Sequence, residues 1–208
     1  SKISKEYSDT NDWFFEHSFD VICKEDDDLY DYFRKYLAHI IQYPDKNPNV
    51  VIILRGHQGT GKDSAIDVLQ ALIGRAYCLR TEHQDAIFGN FNQNCADRLL
   101  ISINEADGGD SKKFAGKMKG MATSALIQIR EKFKNNRDQK NYARLFILSN
   151  QLNPVPIEGD NRRFLILQTA FDKIIDKEYF RKFHSNIASQ EKLDNLISEL
   201  AYGIDLSD

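Results

Sequence analysis

The chain has 208 residues, of which 41% are hydrophobic and 28% charged, and its net charge at pH 7 is −3. This composition predicts a globular protein with one sizeable core. The negative net charge excludes a protein that is basic overall, so any contact with nucleic acid has to be made by a local basic patch. Three widely spaced cysteines and the lack of an 18-residue apolar run favour a reducing, cytoplasmic compartment, with no disulfide, zinc site or membrane span. Because the chain begins with Ser1 rather than Met, we expect a piece of a longer protein.

Residues 1–45 are predicted to form an N-terminal helical segment that packs on the core. Residues 1–20 are rich in aromatic side chains, which favours a packed arm or a short helix. The acidic run at residues 25–28 is typical of a helix start, where negative charge is favoured. Apolar residues then recur at helical spacing up to Pro44, namely Leu29, Phe33, Leu37, Ile40 and Ile41.

The most informative stretch is residues 50–64, VVIILRGHQGTGKDS. An apolar run, a glycine-rich loop and a helical pattern follow one another, which is the order of a phosphate-binding loop. Glycines allow backbone N–H groups to turn toward phosphate oxygens, and the helix start adds partial positive charge. We therefore predict that a nucleoside triphosphate binds here, with Lys62 on its β- and γ-phosphates. The predicted binding residues are Gly56, His57, Gln58, Gly59, Thr60, Gly61, Lys62, Asp63 and Ser64.

One position of this loop departs from the usual pattern, in which Ser or Thr follows the lysine and places a hydroxyl on Mg²⁺. Here Asp63 follows Lys62, and Ser64 comes one place late. A glycine-rich turn between a strand and a helix, with no ligand, is the alternative. The strand before the loop, the helix after it and the polar strand ends described below favour the nucleotide site.

Further apolar runs predict three more buried strands, at residues 99–103, 145–148 and 164–167. Helical patterns cover the segment after the loop up to Gly74, residues 111–123 and the C-terminal segment at residues 171–208, while residues 75–97 are predicted as loop and short helix. Buried strands that alternate with helices predict an α/β fold with a mainly parallel sheet, whose core is residues 46–170. Two strand-like runs around the polar stretch 134–140 predict a β-hairpin inserted before the third core strand.

Polar residues end two of these strands. Asn104 and Glu105 follow the second strand, where nucleoside triphosphatases hold an Asp for Mg²⁺ and a neighbouring Glu can orient the attacking water. Asn150 follows the third strand and can hydrogen-bond the γ-phosphate and the water. Polar residues also end strands for ordinary reasons, and Asn is a common turn residue. The predicted metal contacts are Asp63, Asn104 and Glu105.

Two groups of cations lie further along the chain. Arg162 and Arg163 stand at a loop–strand junction and suit phosphate recognition, because guanidinium groups stay charged and bind bidentately; a surface ion pair is the alternative. A basic stretch at residues 112–140 includes the hairpin, where an aromatic residue lies between lysines. This pattern is typical of contact with a nucleic-acid backbone, although a solvated hairpin would look similar. The predicted DNA-binding residues are Lys132, Phe133, Lys134 and Arg137.

In this order the motifs resemble a superfamily 3 helicase domain of the AAA+ type, found in replication proteins of phages, plasmids and large DNA viruses. The resemblance covers residues 20–200 and rests on GHQGTGKD, a strand ending in NEA, EKFK in the hairpin, FILSN and DNRRF. It implies an AAA+-like P-loop core that uses ATP and Mg²⁺. The implied partners are single-stranded or forked DNA, further copies of the chain in a ring that is usually hexameric, and a primase or polymerase domain upstream.

The resemblance also implies a role for each candidate catalytic residue. Lys62 contacts the phosphates and Glu105 activates water. Asn150 acts as the sensor, and Arg163, with Arg162 beside it, resembles the arginine finger that acts on the ATP of a neighbouring subunit.

The leading prediction is an ATP-driven DNA helicase or translocase motor in DNA replication. A nucleotide kinase is an alternative, which the EKFK hairpin and Asn150 disfavour and which DNA-stimulated ATPase activity would exclude. Another alternative is a nucleotide-dependent assembly module that has lost hydrolysis through Asp63 and Asn104. Turnover of ATP with Mg²⁺ would exclude this third function.

Overall fold

The structure, a computed structural model, describes residues 12–104, 111–151, 154, 162–170 and 176–207. The helices are α1 (Asp12–Glu16), continued by a π-helical segment (His17–Ile22), α2 (Asp27–Gln42), α3 (Lys62–Ile73), α4 (Asp85–Phe88), α5 (Ser111–Thr123), α6 (Lys177–Ile187) and α7 (Gln190–Ser198), continued by a second π-helical segment (Glu199–Gly203). The strands are β1 (Val51–Arg55), β2 (Cys78–Thr81), β3 (Leu100–Asn104), β4 (Leu126–Ile129), β5 (Arg137–Lys140), β6 (Arg144–Ser149) and β7 (Phe164–Gln168). Among these helices, none combines the length and apolar character that crossing a bilayer requires.

A five-stranded parallel sheet forms the centre of the molecule, in the order β2-β3-β6-β1-β7. Its inner strands are buried along almost their whole length, which explains why they are continuous apolar runs in the sequence. Helices pack on both faces. The predicted α/β fold with a mainly parallel sheet is therefore confirmed.

Strand β1 contributes to the cores on both faces of the sheet. Ile52 and Leu54 pack in one core with side chains of α1, α2, α3 and the C-terminal helices, whereas Val51 and Ile53 pack in the other core with α5. This division follows from the alternation of side chains along a strand. Both cores hold β1 in place, so the loop that leaves its carboxyl end starts from a fixed point.

The helix boundaries follow from local chemistry. The Asp26 side chain accepts a hydrogen bond from the backbone N–H of Leu29 at 3.0 Å, so the acidic run caps α2 as predicted. At the end of α3, Gly74 has a φ of +89° and its N–H donates to the carbonyl of Gln70 at 3.0 Å. A glycine adopts this backbone conformation without the steric penalty of a side chain.

Two predictions about strands were wrong. Residues 75–97 contain β2, an edge strand of sequence CLRT that pairs with β3 and is only half-buried, so it lacks the long apolar run of an inner strand. As a result β6 is the fourth strand of the sheet in chain order, and the hairpin precedes the fourth core strand rather than the third. The polar stretch 134–140 was predicted to lie between the two hairpin strands. Instead its last four residues, Arg137–Lys140, form β5, which pairs antiparallel with β4.

Candidate functional site

A cleft with a cavity volume of about 350 Å³ lies at the carboxyl edge of the parallel sheet. In open α/β sheets ligands bind outside the carboxyl ends of the strands, and the volume is that of a small-molecule site. The loop after β1, the first turn of α3, the ends of β3 and β6, and helix α6 all contribute to it. The lining residues are 58–64, Glu82, Asn104, Leu148, Asn150 and Phe180.

Three glycines of the loop after β1 have a positive φ, including Gly59 at +80°, and at the other two a side chain would also clash. Gly56 has a φ of +156° and Gly61 a φ of +87°. A Cβ atom on Gly56 would lie 1.9 Å from Oγ1 of Thr169, and one on Gly61 would lie 2.6 Å from Cε1 of His17. Because Thr169 Oγ1 also lies 2.8 Å from Oγ1 of Thr60, the loop is held against the end of β7 by direct hydrogen bonding.

The ammonium group of Lys62 lies inside this loop, and the residue is only 5% exposed. Its Nζ atom donates to the carbonyls of Gly56 and His57, at 2.7 Å each, and to Oδ1 of Asn150 at 3.1 Å. These three acceptors, like Oγ1 of Thr60 at 3.5 Å, are neutral oxygen atoms. A phosphate oxygen would be a stronger partner than these neutral oxygens, because its negative charge adds Coulomb attraction to the ammonium group. The fold thus brings together two of the predicted catalytic residues, Lys62 and Asn150.

The two residues that depart from the usual motif are in direct contact. Asn104 Nδ2 donates to Asp63 Oδ1 at 2.8 Å, and Arg80 Nη2 donates to the same oxygen at 3.2 Å. Oδ1 of Asn104, its side-chain oxygen, is buried, and no described residue hydrogen-bonds it. Ser64 is buried beside them in the wall of the cleft. This arrangement presents several oxygen atoms and one arginine at the carboxyl end of β3.

The oxygen donors of the cleft can be compared with what a metal ion requires. Mg²⁺ prefers oxygen ligands and keeps several waters, so a site with few protein ligands is usual. Within the described parts of the chain, no group of three or more His, Cys, Asp or Glu side chains could hold a metal ion. The available donors, Asp63, Ser64 and Asn104, fit an ion that is bound mainly by phosphate and water. Glu105, the remaining predicted metal contact and predicted base, lies outside the described residues.

Four residues at or beside the cleft were not predicted. Arg80 and Glu82 come from β2 and the position after it, a strand that the sequence pattern did not reveal. Phe180 reaches the cleft from α6, and His17 touches Gly61 from the N-terminal segment. These contacts join parts of the chain that are far apart in sequence, so no local pattern could have identified them.

His17 links the loop to helix α6. Its Nε2 atom lies 3.3 Å from the carbonyl of Gly61, and its Nδ1 atom lies 2.8 Å from the hydroxyl of Tyr179. Burial lowers the pKa of His17 to about 4, so the ring is neutral at pH 7. Since a carbonyl only accepts, Nε2 carries the proton and donates to Gly61, while Nδ1 accepts from Tyr179.

Arg162 and Arg163 are not at the cleft. The N–H of Val51 donates to the carbonyl of Arg163 at 2.8 Å, which places Arg163 at the amino end of β7. The cleft lies at the carboxyl edge, roughly 16 Å away for a strand of this length. Both arginine side chains are exposed. Within one chain, the predicted arginine finger and the predicted ATP site are at opposite edges of the sheet.

Two asparagines hold the hairpin on the body of the protein. Asn92 Nδ2 donates to the carbonyl of Gln128 at 3.0 Å, and Asn92 Oδ1 accepts from the N–H of Arg130 at 2.8 Å. At the base, Asn141 Nδ2 donates to the carbonyls of Met121 and Ser124 at 2.7 and 2.9 Å. Asn92 and Asn141 are buried, so these bonds are shielded from water and restrain the hairpin's position.

The tip of the hairpin carries the predicted DNA-binding residues. Phe133 is 94% exposed, and Lys132 Nζ lies 5.0 Å from the centre of its ring. Lys134 Nζ donates to Oε2 of Glu131 at 2.6 Å, and Arg137 Nε lies 3.8 Å from Oε1 of Glu131. The hydrogen bond from Lys134, together with the nearby cations, lowers the pKa of Glu131. The tip therefore combines an exposed aromatic ring with three cations, two of which share one carboxylate.

Comparisons with known proteins find a matching family and similar phage proteins. Residues 54–163, more than half of the chain, match a family described as a family of unknown function, DUF5906. A DNA primase-polymerase of Nitratiruptor phage NrS-1 is 29% identical over 140 residues, which are 65% of this chain and 19% of that protein.

Solved structures share the fold. Two apo structures of the NrS-1 C-terminal region match with TM-scores of 0.78 and 0.77 at 23% identity. Both matches cover 100% of this chain, and they cover 50% and 49% of the two solved chains. The chain therefore spans about half of these structures and about a fifth of the phage protein.

Proposed function

We propose that this chain, which belongs to the DUF5906 family of unknown function, is an ATP-hydrolysing motor domain that acts on DNA during replication. The observation that carries the proposal is the convergence of Lys62, Asn150, Asp63 and Asn104 at one cleft. They come from the start of α3 and the ends of β6 and β3. An ammonium that can bind phosphates, an amide that can orient water and oxygen donors for Mg²⁺ around a glycine-rich loop support the positioning and hydrolysis of a triphosphate.

In the proposed mechanism, backbone N–H groups of the loop bind the phosphates, and Lys62 exchanges its carbonyl partners for phosphate oxygens. Asn150, which contacts Lys62, then lies where it can orient the attacking water toward the γ-phosphorus. Glu105 is proposed to accept a proton from that water. The water oxygen forms a bond to the γ-phosphorus while the bond from that phosphorus to the bridging oxygen breaks, and ADP, inorganic phosphate and the proton are released.

Mg²⁺, when bound with ATP, would neutralise charge that develops on the phosphates. Asp63, Ser64 and Asn104 are the described residues that would hold it, directly or through water. The buried Oδ1 of Asn104 fits this role best, since no described residue already hydrogen-bonds it.

Helicase activity of the superfamily 3 type is the finer part of the proposal. Arg163 lies at the opposite edge of the sheet from the cleft, which supports action on the ATP of a neighbouring copy in a ring. The anchored basic hairpin supports contact with single-stranded or forked DNA. The name of the phage relative, a DNA primase-polymerase, supports a replication context and a primase or polymerase domain upstream.

The experiment is an ATPase assay on the purified chain with Mg²⁺, with and without single-stranded DNA, over a range of protein concentrations. Lys62→Ala is expected to abolish hydrolysis and weaken nucleotide binding, because the loop loses the only side-chain cation shown inside it. Lys182→Ala removes an exposed lysine of α6 and serves as the matched control.

The outcomes separate the candidate functions. Wild-type turnover in Lys62→Ala would disprove the site. Nucleotide binding without turnover would point to an assembly module, and phosphorylation of a nucleotide would point to a kinase.

A further inference from the structure

Arg80 occupies an unusual position beside the proposed nucleotide site. It lies on the edge strand β2, and its guanidinium group bridges two carboxylates of helix α3. Nη2 lies 3.2 Å from Asp63 Oδ1, and Nη1 donates to Asp67 Oδ1. The arginine side chain is 28% exposed, so it is more shielded than the Asp63 side chain, which is 59% exposed.

Each of the two carboxylates that Arg80 bridges makes a further contact. Asp63 Oδ1 also accepts from Asn104 at the end of β3, and Asp67 Oδ2 lies 3.7 Å from His184 Nε2 on α6. A chain of polar contacts thus runs from the carboxyl end of β3, across α3 and Arg80, to helix α6. Asp63 itself lines the cleft.

A carboxylate at position 63 creates an electrostatic difficulty for a triphosphate site. It lines the same cleft as Lys62, so its charge is close to where the phosphates would bind, and like charges repel. The hydroxyl that usually follows the lysine carries no charge and needs no compensation. Arg80 supplies a cation to this carboxylate from outside the loop.

We propose that Arg80 is a positioning residue of this site, which offsets the charge of Asp63 and holds that carboxylate to one side of the phosphates. The inference rests on the proposed function. Arginine suits the task because its planar fork can engage Asp63 and Asp67 together, whereas the ammonium of lysine is a point charge. The site thereby tolerates an acid where a hydroxyl is usual.

The test is a double-mutant cycle on the complete 208-residue chain, read out by nucleotide binding rather than by hydrolysis. The dissociation constant of a fluorescent ATP analogue is measured for wild type, Arg80→Gln, Asp63→Asn and the double variant, first in EDTA and then in Mg²⁺. Arg80→Gln should weaken binding about threefold to fivefold, the range expected for a half-exposed ion pair, and more in EDTA than in Mg²⁺. In EDTA, Asp63→Asn should bind more tightly than wild type, because its repulsion of the phosphates is removed, whereas in Mg²⁺ part of this gain should be lost with the carboxylate donor.

The double variant gives the decisive result. If Arg80 acts through the charge of Asp63, removal of that charge restores binding to the level of Asp63→Asn alone. Arg80→Lys keeps a cation and should lie closer to wild type than Arg80→Gln. Arg34→Gln, which breaks the 3.1 Å ion pair between Arg34 and Asp31 on α2, is the matched control.

Two results would overturn the inference. Arg80→Gln could bind the analogue as tightly as wild type, or its loss could persist in the double variant, which would indicate a structural role. A wild-type chain that binds no analogue would instead overturn the proposed function, and the inference with it. Thermal unfolding of each variant, followed by circular dichroism, shows which losses come from misfolding.

Discussion

At the scale of single residues, the contact between Asp63 and Asn104 turns two departures from a motif into one unit. The hydrogen bond from Asn104 Nδ2 to Asp63 Oδ1 is 2.8 Å long, and it needs an amide on one side and a carboxylate on the other. Residues in such contact usually have coupled effects on function, of about 0.5–3 kcal/mol. Asp63 stands in place of the usual Ser or Thr, and Asn104 stands in place of the usual Asp. These two differences are therefore expected to act as a pair.

We predict this coupling for the proposed ATPase. Asn104→Asp alone should reduce activity, because two carboxylates would face each other across 2.8 Å. Asp63→Ser alone should raise the Mg²⁺ concentration needed for half-maximal rate, because a carboxylate donor is lost. The double variant restores the usual motif and should recover activity beyond the sum of the two losses. The measurement is ATPase rate against Mg²⁺ concentration for all four proteins.

Asn94→Asp, at an exposed position, is the control for added charge. Strictly additive effects, or an Asp63→Ser protein with unchanged Mg²⁺ dependence, would show that the two positions act independently.

A second residue-scale prediction concerns His17 and pH. The ring is buried and neutral, with its pKa lowered from 6.5 to about 4, so the folded state resists protonation while the unfolded state accepts a proton near pH 6.5. The free energy of unfolding should therefore fall as the pH drops from 6.5 to 4, by up to about 3 kcal/mol from this group, with no further loss from it below pH 4.

Denaturant unfolding at a series of pH values tests this prediction. His17→Gln should flatten the slope between pH 6.5 and 4, although its stability at pH 7 should be lower because the ring contacts are lost. His83→Gln, at an exposed position, should keep the wild-type slope. An unchanged slope in His17→Gln would assign the pH dependence to other groups.

At the scale of elements, the hairpin is a projecting unit with a fixed base. Asn92 and Asn141 anchor it through buried hydrogen bonds, while its tip presents Phe133 and cations to solvent. A restrained base with an exposed charged tip can transmit movement of the body to a bound strand. This geometry supports the DNA-binding prediction without testing it.

We predict that Lys132→Ala and Lys134→Ala weaken binding of single-stranded DNA and leave basal ATPase activity almost unchanged. Each lost phosphate contact should reduce the slope of log affinity against log salt by about 0.7. Lys134→Ala should have the larger effect, because it also leaves Glu131 with one fewer cation near the DNA. Fluorescence anisotropy at several salt concentrations measures both quantities.

The control for the hairpin experiment is a Lys182→Ala, Lys192→Ala protein, in which two lysines of α6 and α7 are removed. If the hairpin double variant keeps the wild-type affinity and salt slope, the hairpin is a solvated surface and the DNA contact lies elsewhere.

At the scale of the whole molecule, the sheet separates the two predicted halves of the catalytic machinery. Lys62 and Asn150 lie at its carboxyl edge, and Arg163 lies at its amino edge. An arginine finger at Arg163 would therefore have to act on a neighbouring copy. The proposed activity then depends on assembly and on protein concentration.

We predict that Arg163→Ala binds ATP normally but hydrolyses it on the order of 10³-fold more slowly, as expected for loss of an arginine finger. Mixing Arg163→Ala with Lys62→Ala should restore part of the activity, because some interfaces then combine an intact loop with an intact arginine. Arg181→Ala, an exposed arginine of α6, is the control. No recovery at concentrations at which the protein assembles would rule out action between copies.

The sequence by itself determined the elements whose chemistry is local. An apolar run before glycines predicted β1, the loop and α3. The acidic run predicted the start of α2, and the inner strands β3 and β6 were recognisable because burial on both faces demands continuous apolar residues. The polar ends of those strands were predicted to contact one nucleotide site, and they lie together because parallel strands share one carboxyl edge. Asn104, Asn150 and Lys62 follow from these rules.

Only the tertiary structure decided the rest. Strand β2 is short and half-buried, so its residues carry no strong pattern, and Arg80 could not be placed beside Asp63 without it. His17 and Tyr179 meet across 162 positions of sequence, and Phe180 reaches the cleft from the far end of the chain. Such contacts depend on how separate elements pack against one another, and that packing is not encoded in any single stretch of the sequence.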